Sequence, residues 1–177
     1  MKINENFEFS KVRDLDAFIQ NFYAGKTDEI ISDLKNCFRI SQKDSSRKTS
    51  SEERNVLTEQ EADLFFDILK YVDFSNNHVE NRFPVQIITK RHGWNNKDSA
   101  LTANDFIGEI LFNIRSKTHF EVGTVEEDGI SCASWLIECY DVKYNVGHIT
   151  FGKDLYPFLK AFCQIPEVQA KIRQEEI

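Results

Sequence analysis

Apolar residues recur at every third and fourth position through most of this chain, and they alternate through part of its last third. Leu15, Phe18, Ile19 and Phe22 predict a first helix, with Asp14 placed to cap it and Gly25 to end it. After Thr27, a second segment puts Ile30, Ile31, Leu34, Cys37 and Phe38 on one face. The two segments are expected to form an N-terminal helical hairpin. Thr58-Glu59-Gln60-Glu61 reads as a capping box, in which each end residue satisfies the other's backbone amide. The helix it opens should bury Ala62, Phe65, Phe66, Leu69 and Val72 and end before Ser75-Asn76-Asn77. Ala103, Phe106, Ile107, Ile110, Leu111 and Ile114 give the cleanest amphipathic helix in the chain.

Period-two patterning marks the strands. Val85, Ile87 and Thr89 alternate with Gln86, Ile88 and Lys90, which predicts a strand over 84–91. Phe120, Val122 and Thr124 predict another from His119 to Val125, and Asp128-Gly129 a hairpin turn after it. From Ser131 to Tyr144 both parities are apolar near the middle, as expected of a long central strand. Asn145-Val146-Gly147 should turn the chain into a short strand over 148–151. Gly152 or Asp154 then starts a helix that buries Leu155, Phe158, Leu159 and Phe162, with Pro157 in its first turn. Pro166 opens a last, polar helix anchored by Val168 and Ile172.

These elements define an α+β fold, an antiparallel sheet of about four strands packed against helices. The 177 residues fit a single domain, 1–177. Within it, 1–40 reads as an N-terminal helical arm and 58–177 as the α+β core. Between them, 41–57 is a polar loop or linker, with five serines and no aromatic residue over 41–56.

Charge changes the picture more than composition does. Residues 1–57 carry ten acids and ten bases, whereas 118–177 carry ten acids and five bases. Most of the net charge of −7 therefore lies in the last third, where it repels phosphate and attracts basic partners. Direct nucleic-acid binding is disfavoured on this ground. No stretch approaches the roughly 20 apolar residues of a membrane helix, and the N-terminus lacks the apolar run of a secretory signal. Cys37, Cys132, Cys139 and Cys163 have no paired spacing and read as reduced thiols of a cytoplasmic protein.

Chemistry-bearing motifs are sparse. There is no P-loop, GxGxxG, HExxH or GxSxG, and no cofactor or metal is implied. His119, Glu121, Glu138 and His148 lie on strands expected to be neighbours, where they could hold a metal or serve as acid and base. The run from Lys90 to Lys97 is the one basic-aromatic cluster, and Trp94 within it is a candidate anchor for a protein partner. The hairpin acids Glu126, Glu127 and Asp128, with Glu121 and Asp141 nearby, form the best partner-facing group.

The closing residues 147–162, GHITFGKDLYPFLKAF, form a strand, a glycine and an FGxDLxxFLxxF helix. This ending resembles the C-terminus of many small bacterial immunity proteins, which neutralise secreted or contact-delivered toxins. The resemblance covers those sixteen residues alone and carries over no family binding residues. It implies a non-enzymatic protein that covers the active site or substrate groove of a basic partner, a role that a phage-encoded inhibitor would share. The alternative is a small metal-dependent or His/Glu-based hydrolase or nuclease using His119, Glu121 and His148.

Overall fold

The structure, a computed structural model, describes residues 27–40, 56–94, 102–125 and 130–173, with backbone alone from 121 to 133. Among these residues there are six helices: α1 (Thr27–Cys37), α2 (Glu59–Leu69), α3 (Val85–Arg91), α4 (Ala103–Lys117), α5 (Tyr156–Phe162) and α6 (Pro166–Arg173). Five strands accompany them: β1 (Glu80–Pro84), β2 (His119–Val125), β3 (Ile130–Trp135), β4 (Ile137–Lys143) and β5 (Val146–Phe151). The fold is α+β, as expected. The predicted helix over 14–25 and the linker over 41–55 lie outside the described residues.

The predicted capping box at α2 is present, Thr58 accepting from the Glu61 amide and Glu61 from the Thr58 amide. The Glu61 carboxylate also accepts from Lys117 Nζ at 2.6 and 2.9 Å, tying the start of α2 to the end of α4. A second box, Thr102 with Asp105, starts α4. Phe38 packs against Phe65, Phe66 and Phe162, which joins α1, α2 and α5 in one aromatic core.

Three strand expectations are corrected. Residues 85–91 form helix α3, and the strand is the preceding Glu80–Pro84. Val85, Ile88 and Thr89 are buried at helical spacing, so packing overrides the β-preference of their branched side chains. The helix ends in a Schellman motif: Gly93, at φ 66, donates to the Lys90 carbonyl and Trp94 to that of Thr89.

Next, the long strand over 131–144 is two strands, broken at the fully buried Leu136. The Leu136 amide donates to the Thr118 carbonyl, and its own carbonyl accepts from Gly152. The break sends β3 to a two-stranded sheet with β2 and sends β4 to a three-stranded sheet of order β1-β5-β4. The central strand is therefore β5, and the expected single sheet of about four strands is divided. Finally, the turn after β4 is Tyr144-Asn145, both at positive φ, one position earlier than Asn145-Val146-Gly147. Lys143 pairs with Val146 across it, as in a two-residue hairpin.

Helices cover one face of the three-stranded sheet, where Phe83, Ile149 and Phe151 are buried. Along the open face, cross-strand rows run Glu80, Thr150, Cys139 and then Arg82, His148, Asp141. Gly152 has its Cα against the Trp135 carbonyl, a position where a Cβ would collide with backbone. A glycine there lets the start of α5 pass beneath the end of β3.

Candidate functional site

The β2–β3 ribbon is the most distinctive feature of the surface. Its strands pair from His119↔Trp135 to Val125↔Ile130, with Val122 as an extra residue where the register shifts. Among the described elements, β2 and β3 pack chiefly against each other. They form an arm that joins the body at its His119/Trp135 end, where the Thr118 carbonyl accepts from the Leu136 amide, Phe120 enters the core and Ser134 meets Asp154. Glu121 lies on β2 in this arm, while Glu126, Glu127 and Asp128 lie outside the described residues, between its two strands.

The root of the arm is built from three elements. Trp135 at the end of β3 is 36% exposed. The Arg115 guanidinium of α4 stacks on its ring at 4.3 Å, and the His119 ring lies 4.3 Å from it. Arg115 Nε also donates to the carbonyl of Glu138 at 3.2 Å. Glu138 is the extra residue where the β4–β5 register shifts, so the guanidinium meets a carbonyl at an irregular point of an edge strand. One turn before Arg115 on α4, Phe112 is 58% exposed. Residues three apart share a helix face, so Phe112 and Arg115 face the same way.

The two histidines of the candidate His/Glu set lie on different sheets. His119 is engaged with Trp135 on the ribbon, while His148 lies on the open face of the other sheet, opposite Asp141 and Arg82. Glu138 is exposed on β4, and only the backbone of Glu121 is described. No group of three or more His, Cys, Asp or Glu able to hold a metal occurs among the described residues. Asp141 is exposed and pairs with Lys143 at 2.9 Å. That hydrogen bond holds the Asp141 carboxyl below its ordinary value.

Trp94 is partly buried, its ring stacked on His92 at 4.2 Å and edge-on to Phe106 at 5.8 Å. It closes the end of α3 and faces the core. His92 in turn belongs to a cluster around the buried Asp67 of α2. Lys70 Nζ and Arg91 Nη1 each lie 2.6 Å from Asp67 Oδ1, and His92 Nε2 lies 2.7 Å from Oδ2. Burial pushes the Asp67 carboxyl up, but hydrogen bonds from Lys70 and His92, with the charges of Lys70 and Arg91, bring it below its ordinary value. The cluster lines a recess of about 250 Å³ together with Asp63, Phe66 and Lys171. Lys70 is the C-cap of α2 and Arg91 the last residue of α3, so these cations also offset the negative ends of both helices. The arrangement clamps α2 to α3.

Sequence reasoning missed both the Asp67 cluster and the Arg115–Trp135 pair. The first had a signal, a lone acid inside the apolar run Leu64-Phe65-Phe66-Asp67-Ile68-Leu69. The second had none, because it depends on the break at Leu136. No protein-family model, curated protein or solved structure matches this chain. No helix among the described residues is long and apolar enough to cross a membrane.

Proposed function

We propose that this chain is a non-enzymatic binding protein that neutralises a basic protein partner by covering its active site or substrate groove. A toxin-immunity protein or a phage inhibitor acting in the cytoplasm fits this description. The observation that carries the reading is the charge of the β2–β3 arm. Between Lys117 and Lys143 the chain has six acids and no lysine or arginine. Those acids are Glu121 on β2, Glu126, Glu127 and Asp128 in the sequence between β2 and β3, and Glu138 and Asp141 on β4. An acidic projection fits a basic groove and steers its approach. The short resemblance of residues 147–162 to immunity proteins points the same way.

Capture on the tagged chain, expressed in its own cells, tests the reading. A basic protein should be retained, and adding one equivalent of the chain should suppress that protein's activity. Retention of acidic proteins only, or full activity of the captured protein in excess chain, would overturn it.

A further inference from the structure

We infer that the face formed by Phe112, Arg115 and Trp135, at the root of the arm, is the centre of contact with the basic protein partner; this rests on the function proposed above. Five large apolar side chains are exposed among the described residues. Two of them relate to the same arginine: Trp135 carries its guanidinium, and Phe112 precedes it by three residues on α4. Aromatic residues and arginine are the types enriched at the energetic centres of interfaces. Here they are already fixed. The Arg115 side chain is held at two points, on the Trp135 ring and at the Glu138 carbonyl. Little side-chain entropy remains to be lost when a partner covers it.

The surroundings of this face select the partner. Glu109 precedes Phe112 by three residues on α4 and is exposed. Glu138 is exposed on β4, and Asp154 meets Ser134, the neighbour of Trp135 in β3. The β2–β3 pairing begins at His119 and Trp135 themselves, and the sequence it leads into is the acid-rich one. Lys117, the nearest lysine in sequence, is taken up by the Glu61 carboxylate. An apolar, arginine-bearing centre with an acidic rim is complementary to an apolar patch ringed by lysine and arginine. The division of labour follows. The arm's carboxylates set the rate of encounter, and the aromatic face sets the lifetime of the complex.

The test uses the full chain with a photo-crosslinking benzoylphenylalanine at position 112, and a control with it at Ile87, an exposed site on α3. Irradiation in the native cell should join a basic protein to position 112 and not to position 87. That protein, purified, is then titrated with wild type and with Phe112→Ser, an exposed substitution whose folding is checked by its melting curve. The expected result is at least a tenfold loss of affinity, carried by faster dissociation, with the association rate and its salt dependence unchanged. If a basic protein binds wild type and Phe112→Ser equally well, the face is not the centre of contact, although the proposed function stands. If position 112 joins no basic protein and none binds the wild-type chain, both fall together.

Discussion

The His92 ring meets the Asp67 carboxylate at 2.7 Å across 25 residues of sequence. The contact matters because Asp67 is buried and holds three donors from two helices. Removing its charge takes from Lys70 and Arg91 the carboxylate they share at two helix ends. Asp67→Asn should cost about 1–3 kcal/mol, the range for losing hydrogen bonds to a charged group, because Lys70 and Arg91 are themselves partly exposed. A carboxyl whose folded pKa lies below its unfolded one adds stability above the unfolded value. That contribution is lost as pH falls through the folded value. Wild type should therefore shed stability below about pH 4, and Asp67→Asn should lack that component. Urea melts of both proteins from pH 7 to 2.5 check the slope.

The far edge of the Phe83 ring on β1 lies against Gly147 on β5, its cross-strand partner, and a Cβ at 147 would collide with it. Phe83 is fully buried, so the ring has nowhere to move. Gly147→Ala should destabilise by about 1–3 kcal/mol through overpacking. Phe83→Leu/Gly147→Ala should recover part of that loss, which a double-mutant cycle by chemical denaturation would read.

Tyr144 occupies left-handed backbone at φ 52 while its side chain is 91% exposed. Such a side chain contributes little packing, whereas the conformation disfavours tyrosine and suits asparagine. Tyr144→Asn should raise stability by about 0.5–1 kcal/mol, seen as an upward shift of the thermal midpoint. A fall would mean that the ring makes contacts that matter to the fold.

Burial pushes the thiols of Cys37 and Cys163 up to about 12, while Cys139 is exposed. Thiolate is the reactive form. In a Cys132→Ser background at pH 8, one thiol should react quickly with a maleimide, and peptide mapping should place it at Cys139. Cys37 and Cys163 should react only on unfolding.

The helices were legible because their apolar spacing and caps agree. Thr58 with Glu61, and Leu155 with Phe158, Leu159 and Phe162, behave as their patterns predict. Residues 85–91 were misread because Val85, Ile87 and Thr89 fit period two while Val85, Ile88 and Thr89 fit a helix, and only the burial of the second set decides for the helix. Leu136 looked like one more apolar residue in a long strand. Its role as the break depends on partners at Thr118 and Gly152, eighteen residues before and sixteen after it. Once the strand breaks there, Trp135 becomes the root of the arm and comes within reach of Arg115. No local pattern could reveal that pairing. Trp94 attracted attention through its basic neighbours, yet Gly93 turns it inward.

The most direct measurement is the association rate of the purified basic partner with the chain, followed by stopped flow as ionic strength rises. Wild type should show a steep fall in rate with salt. Glu126→Lys/Glu127→Lys/Asp128→Lys should associate at least tenfold more slowly at low salt, with a nearly flat salt dependence. Equal rates and equal salt slopes for the two proteins would contradict the acidic arm as the element that meets the partner.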